Sequence, residues 1–515
     1  MNAPHPGALP RRKLPIGLQS FVKLREEDHY YVDKTGLLID LIASGSYYFL
    51  SRPRRFGKSL LLDTFKALFE GERSLFDGLV AETRWDWTRR HPVIRIDLGS
   101  GVLQSRAELD QRVHEILLDV QRDLGLPDPV GYDSVTGQFA ELIRLAHAKF
   151  GATVVVLIDE YDKPILDNIT DRETATAMRD GLRNLYSVLK GADAHLKFVF
   201  ITGVSKFSKV SLFSGLNNLK DITLDARYSA LCGYTDADVD TVFAPELPGL
   251  DREEIRRWYN GYNDLLLLFD TREFKPYWFE TGTPTFLVNM LTSRHWFTPD
   301  LTRTVATETL LSAFDVDMIE SEALLFQAGY LTIDSVWAIP GRKEFTLKYP
   351  NKEVQASLND SLLRVLTGGA RYSEPQVSRL YRLLQAQDVA GLRGLFHAFY
   401  ASIPHDWYRT NDIAKYEGYY ASVFYSHFAA LGLDIRVEDT TNHGRIDMAV
   451  EFDSAVWVFE FKVVELVPAG KALQQIKDRG YADKYLGRSG PVHLVGVEFS
   501  RDSRNIVGFE TETLG

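Results

Sequence analysis

A chain of 515 residues exceeds what one hydrophobic core ordinarily organises, so roughly two to four domains are expected. With 45% hydrophobic, 12% aromatic and 25% charged residues, its composition is that of a chain folded throughout rather than disordered. Its one cysteine, Cys232, excludes an intrachain disulfide and a thiolate zinc cluster, and fits a reducing, cytoplasmic setting. The formal charge of −11 excludes a uniformly positive surface but not a local nucleic-acid cleft. Apolar runs such as Val154–Ile158 and Leu265–Phe269 are strand-sized, far short of a membrane span. Residues 1–13 read as a loose tail rich in Pro and Arg, not as a secretory signal.

In chain order, the first half alternates strand-like and helix-like segments, the pattern of an α/β layer on a mostly parallel sheet. Tyr47–Leu50 is a short apolar strand, followed by a basic loop and a helix over Leu60–Phe69. His91–Leu98 is a strand, Ala107–Leu124 and Phe139–Lys149 are helices, and Thr153–Ile158 is an aliphatic run typical of a central parallel strand. Ala175–Lys190 is helical and Lys197–Thr202 the next strand. Residues 237–350 read as a helical accessory module and 351–398 as a helical connector. Past Asp406 the pattern predicts a helix through Phe428, then strands Asp434–Glu438, Arg445–Phe452 and Val456–Val463, a helix Gly470–Tyr485 and a strand His493–Phe499. The aromatic group Trp258, Tyr259 and Tyr262 is expected to pack inside the accessory module.

The loop Arg52-Pro53-Arg54-Arg55-Phe56-Gly57-Lys58-Ser59 ends as a phosphate loop should. It offers turn amides, a lysine for the β/γ phosphates and a hydroxyl for Mg²⁺, between a strand and a helix N-terminus. Arg52 replaces the usual first glycine, so the simple motif fails, and an exposed basic turn is the bland alternative. Val154–Ile158 then runs directly into Asp159 and Glu160, carboxylates at a strand end where parallel sheets place ligands. Asp159 is suited to orient Mg²⁺ and Glu160 to polarise the attacking water. Thr202 or Ser205, at the end of a neighbouring strand, is placed to sense the γ-phosphate.

Here Leu14–Leu18, Tyr31–Thr35, Ser51–Leu60, Leu157–Tyr161, Phe200–Lys206 and Phe213–Asn218 resemble the AAA-ATPase-like family often fused to a PD-(D/E)XK nuclease domain. The resemblance covers much of residues 14–230 and implies a P-loop ATPase-like core over 14–236. ATP would be held by Gly57, Lys58, Ser59, Asp159 and Thr202. Arg54, Arg55 and Arg183 are phosphate or coupling groups, or solvated charges.

A second constellation lies near the C-terminus. Asp447 opens a strand, and Glu460 and Lys462 share one face of the next while Trp457, Phe459, Phe461 and Val463 take the other. Charges within so apolar a run are costly unless they serve an ion or a phosphate. Asp447 and Glu460 suit Mg²⁺, and Lys462 suits the attacking water and the phosphate. A Glu–Lys surface pair on an edge strand is the bland alternative.

Gly444–Val450, Val456–Val463 and Lys471–Tyr485 resemble the PD-(D/E)XK nuclease superfamily. The resemblance implies a restriction-endonuclease-like α/β domain over 399–515, with Gln475 as an accessory glutamine and Glu417 as an accessory helix acid. Tyr481, Lys484 and Tyr485 either contact the phosphate backbone or pack. His427, His443 and His493 lack a ligand network for zinc.

The expectation is thus an α/β chain joining a P-loop ATPase-like module to a Mg²⁺-dependent nuclease. Its cofactors are ATP and Mg²⁺ and its substrate nucleic acid, DNA rather than RNA, with nucleotide regulating cleavage. No membrane partner is expected; self-association or a protein partner stays open. Two alternatives stand beside it. One is a nucleotide-dependent nucleic-acid-binding or regulatory protein with an inactive nuclease fold. The other is an interaction ATPase whose C-terminal domain only docks.

Overall fold

The computed structural model describes residues 10–127, 132–206, 212–213, 216, 218–278, 304–307, 311, 320–340, 342–366, 370–402, 417–441, 444–465, 468–486 and 490–515. The chain divides into two compact units. The first comprises Met1–Lys275, Ala306–Leu331 and Val336–Phe345, and the second Pro276–Val305, Thr332–Ser335 and Thr346–Gly515.

The first unit is built on a five-stranded sheet. Its strands are β1 (Tyr47–Ser51), β2 (Val93–Asp97), β3 (Val154–Asp159), β4 (Leu196–Gly203) and β5 (Lys220–Asp221). Their order is β2-β3-β4-β1-β5 and every pairing is parallel. The central strand β3 is covered on both faces, which is why Val154–Ile158 are all fully buried and carry no polar alternation. Each such side chain contributes about 2 kcal/mol on leaving water. The flanking helices start where their sequences supply a cap. Ser105, Ser134 and Asp171 each accept an amide from the first turn of Arg106–Asp123, Val135–Phe150 and Arg172–Gly191 respectively.

Register brings the strand ends together. Ser51 faces Gly203, Leu50 faces Thr202, and Asp97 faces Asp159. β4 lies between β1 and β3, so the phosphate-loop strand and the acidic strand do not pair directly; Thr202 of β4 stands between them.

Within the stretch read as a helical module, the structure also contains three strands, β6 (Val305–Thr307), β7 (Thr332–Ile339) and β8 (Arg342–Lys348), ordered β6-β8-β7. In β8 the period is two: Phe345 and Leu347 are buried while Thr346 and Lys348 are not. Tyr259 and Tyr262 are buried; the Tyr259 hydroxyl donates to Lys275 O and accepts from Lys275 N.

The second unit has a mixed sheet of β9 (Asp434–Thr441), β10 (Gly444–Phe452), β11 (Ala455–Val464), β12 (Val492–Ser500) and β13 (Ile506–Leu514), ordered β13-β12-β11-β10-β9. β11 and β12 are parallel; the other pairs are antiparallel. β10 and β11 join through Asp453 and Ser454, both with positive φ (47° and 65°), the twist that a two-residue hairpin demands. The face carrying Trp457, Phe459 and Phe461 packs on helices Val389–Ser402 and Glu417–Ala430. The opposite face, with Val456 and Val458, is covered by helix Lys471–Asp478, Tyr481 and Tyr485.

Candidate nucleotide and nuclease sites

After β1 the chain turns twice through the left-handed region, at Arg55 (φ 59°) and Gly57 (φ 82°), before entering helix Lys58–Glu70. Arg52, in the place of a first glycine, points away from the loop: its guanidinium donates to Thr223 O at 2.7 Å and Ser51 O at 3.0 Å. Lys58 is buried and curls over its own loop, with Nζ 2.9 Å from both Arg52 O and Pro53 O. Burial pulls its pKa down from the ordinary lysine value, and Asp159, Glu160 and Asp162 oppose that pull. Ser59 follows in the first helical turn. Arg54 and Arg183 are exposed.

The loop is held from outside by residues far along the chain. Arg55 pairs with the buried Asp264, and Asn263 N donates to Arg55 O at 3.3 Å. Gly233 N donates to Phe56 O at 3.1 Å, and the Phe56 ring meets Tyr262 edge-on at 4.9 Å. A Cβ at Gly233 would lie 2.5 Å from Gly261 O and 2.7 Å from Phe56, so this approach requires glycine. Beside Gly57 opens a cavity of about 60 Å³, walled mainly by apolar groups including Tyr30, Val32, Leu61, Leu231 and Cys232.

At the end of β3, Asp159 Oδ1 accepts from Thr202 Oγ1 at 2.7 Å and from Glu160 N at 3.1 Å. Asp159 Oδ2 is buried without a hydrogen bond, 3.8 Å from Arg95. Arg95 also reaches Asp63 on the phosphate-loop helix at 2.8 Å. Glu160 has φ 48°, a strained value for a non-glycine residue, and burial raises its carboxyl pKa against the pull of Lys58. Asp162 is fully occupied with the exit of β4: it accepts from Val204 N, Ser205 N and Ser205 Oγ. The Ser205 hydroxyl is therefore spent on Asp162, and that of Thr202 on Asp159.

The second site forms across the hairpin and the helix on its far face. The β10–β11 ladder reaches Met448–Phe459, and one step beyond it Asp447 Oδ2 accepts from Phe461 N at 2.8 Å. Glu460 is buried; its Oε1 accepts from Lys462 Nζ at 3.2 Å and from Gln475 Nε2, while its Oε2 is buried with no hydrogen-bond partner. Burial, then the neighbouring Asp447 charge, pushes the Glu460 carboxyl up to about 7, and Lys462 only partly offsets this. Structure thus gathers Asp447, Glu460, Lys462 and Gln475. Glu417 opens helix Glu417–Ala430 in backbone, and its side chain lies outside the described residues, as does His443. Tyr481 and Tyr485 are buried in the core; His427 Nδ1 bonds Val423 O and His493 Nδ1 bonds Thr513 Oγ1.

Sequence reasoning missed Glu498. This buried carboxylate on β12 accepts the amides of Ala469, Gly470, Lys471 and Ala472, fixing the start of the helix that carries Gln475. Gly496, paired with Glu460, lets that helix close in: a Cβ there would fall 2.2 Å from Leu473 N. An acid inside a strand as apolar as Val492–Ser500 was the available signal.

A divalent ion fits the second site's donors. Asp447 and Glu460 are hard oxygen ligands, and Glu460 Oε2 is a buried acceptor without a donor. Among the described residues no group of three His, Cys, Asp or Glu side chains converges, so water and substrate oxygens would complete such a shell. In the first unit Asp159 Oδ2 is the equivalent buried acceptor.

Comparison with known proteins agrees with this geometry. Residues 15–213 match the family described as predicted AAA-ATPase, and residues 415–509 match the PD-(D/E)XK nuclease superfamily. The chain is 62% identical over 517 aligned positions, covering 98% of its own length and all of the relative, to a protein of Azotobacter chroococcum mcd 1 named "Uncharacterized protein in vnfD 5'region". A parallel sheet ending in a Gly-Lys-Ser loop, a mixed sheet carrying an Asp–Glu–Lys cluster, and a relative of the same full length lead to one conclusion: this chain belongs to the AAA-ATPase-like proteins that carry a C-terminal PD-(D/E)XK nuclease superfamily domain.

Proposed function

We propose that this chain binds ATP at its phosphate loop and hydrolyses phosphodiester bonds of nucleic acid, DNA before RNA, with nucleotide state regulating cleavage. The observation that carries the nuclease half is Glu460: one oxygen is held by Lys462 and Gln475, the other is buried without a donor, and Asp447 stands beside it. Such an arrangement is costly unless a cation shares it. A divalent ion held by Asp447 and Glu460 supplies positive charge against the phosphate and acidifies attacking water. Lys462, partly exposed, holds the water and offsets charge as phosphorus gains a fifth oxygen. Gln475 keeps Glu460 from rotating.

In the first unit, the amides of the loop and Lys58 receive the phosphates. Asp159 and Ser59 hold Mg²⁺, and Glu160 polarises the water. No helix among the described residues is long and apolar enough to cross a membrane.

The test is cleavage of labelled single- and double-stranded DNA and RNA with Mg²⁺, Mn²⁺ or EDTA, with and without ATP or ADP. Metal-dependent cleavage lost in Asp447→Ala, Glu460→Ala and Lys462→Ala is expected; equal cleavage in all three would sink the assignment. In the same preparations, Lys58→Ala weakens ATP binding and Glu160→Gln suppresses hydrolysis while sparing binding. Binding unchanged in folded Lys58→Ala would reject the phosphate contact.

A further inference from the structure

Residues 327–330 lie outside both matched regions, yet they touch both loops of the nucleotide site. Helix Ser321–Gln327 ends in a side chain that is 5% exposed. Gln327 Oε1 accepts from Lys206 N at 2.7 Å and its Nε2 donates to Leu311 O at 3.1 Å, which fixes the orientation of the amide. Lys206 N is the third of three successive amides leaving β4. Asp162 takes the first two, those of Val204 and Ser205. Asp162 itself is two residues past Glu160. The strand end that presents Thr202 to Asp159 is therefore held from one side by Asp162 and from the other by Gln327.

Two residues on, Gly329 adopts φ +86° and lies against the phosphate loop. A Cβ there would stand 2.4 Å from Pro53 Cβ and 2.5 Å from Pro53 Cγ, and Tyr262 Oη donates to Gly329 O at 2.9 Å. Pro53 is one of the two residues whose carbonyls hold Lys58 Nζ. Phosphate within reach of that ammonium competes with the Pro53 carbonyl, and the proline ring has no free space on the Gly329 side.

We infer that Gln327 and Gly329 are positioning residues of the nucleotide site: Gln327 sets the loop after β4 that orients Thr202 and Asp159, and Gly329 sets the phosphate loop through Pro53. The inference rests on the ATP reading above. Leu331 ends this stretch of the first unit and Thr332 opens a stretch of the second, so the element that seats both loops is also where the chain leaves the first unit.

The experiment uses the full chain and four variants, Gln327→Ala, Gln327→Leu, Gln327→Glu and Gly329→Ala. Affinity is read with a fluorescent ATP analogue, hydrolysis as kcat and KM with Mg²⁺, and folding by thermal unfolding. Gln327→Ala and Gln327→Leu should lower kcat about tenfold with affinity held within about twofold, as expected for lost positioning of a polar group. Gln327→Glu keeps the acceptor for Lys206 N but loses the donor to Leu311 O and sets a buried carboxylate against that carbonyl, so it should lower kcat at least as much as Gln327→Ala. Gly329→Ala should weaken nucleotide binding about tenfold through the displaced loop. If it does not fold, Pro53→Gly alone, which removes the ring packed on Gly329 and leaves glycine at φ +86°, should weaken nucleotide binding about tenfold; unchanged affinity in that variant overturns the Gly329 role. Folded Gln327→Ala and Gly329→Ala with unchanged kcat and affinity overturn the inference alone. Gln327→Glu with kcat equal to wild type overturns the Gln327 role. A folded wild type that binds no nucleotide overturns the ATP reading, and this inference with it.

Discussion

The two candidate sites each bring carboxylates and a lysine together, by opposite means. In the parallel sheet the central strand β3 is buried on both faces, so its polar groups stand at its end: Asp159 closes β3, and Thr202 is one residue from the end of the neighbouring β4. In the mixed sheet one face of β11 alternates, so Glu460 and Lys462 sit within the strand itself. Lys58 is held by main-chain carbonyls, whereas Lys462 is held by a carboxylate. A site made by backbone tolerates an unusual side chain such as Arg52; a site made by side chains does not.

That contrast can be broken by mutation. The largest effect belongs to the nuclease cluster, where Glu460→Gln or Lys462→Ala should lower cleavage about 100-fold or more, the cost typical of losing one group that stabilises transition-state charge. Initial rates on the best wild-type substrate measure it, and a loss under about fivefold would remove the residue from the mechanism.

Next comes Glu498→Ala, which leaves four amides at the start of one helix without their carboxylate and should destabilise the second unit by about 3 kcal/mol. Urea unfolding followed by tryptophan fluorescence reads this, and an unchanged midpoint would reject the capping role.

The pH dependence of Glu460 sharpens the comparison further. Its folded-state pKa, about 7, lies above the ordinary 4.5, so the folded protein binds the proton more tightly than the unfolded chain. The resulting penalty is absent below about 4.5, grows as pH rises, and is complete above about 7. In EDTA, Glu460→Gln should therefore gain stability over wild type at pH 8 and gain little at pH 5. A difference between the two proteins that is equal at both pH values would contradict burial as the cause.

The smallest effect is the informative null. Arg52→Ala should alter ATP affinity by less than about threefold, because its guanidinium serves Thr223 O and Ser51 O rather than the cradle. A tenfold loss in calorimetry would show that the side chain does reach the nucleotide.

How far the sequence carried depended on which kind of order each residue obeys. Strand ends and alternation are local, so the Gly-Lys-Ser loop, Asp159, Glu160 and the shared face of Glu460 and Lys462 were legible, and with them the two α/β units. Arg95 and Gly496 act across neighbouring strands, Glu498 on a helix start 26 to 29 residues earlier, and Gln327 and Gly329 across more than a hundred residues of chain, and no local pattern encodes these partners. Arg95 and Glu498 did leave a trace, each a charge inside an apolar strand. The aromatic Tyr262 was rightly assigned to packing, but that its ring would brace Phe56 of the phosphate loop required the fold. The strands β6–β8 escaped notice because they interrupt a region whose helices dominate its pattern.

The position of β4 has a consequence for synthesis on the ribosome. Among the described residues, Tyr47–Ser51, five buried residues, pairs with β4 and β5. Its neighbours are not made until Gly203 and Asp221 have been translated, some 150 residues later. At roughly 5–20 residues per second, that leaves an apolar, strand-forming segment unpaired for about 10–30 s in every nascent chain. The β10–β11 hairpin meets its partner within a two-residue turn and has no such interval. Nascent-chain aggregation and chaperone demand should therefore concentrate on the front of this protein, and slowing translation between residues 51 and 203 should lower the soluble yield more than slowing it after residue 444.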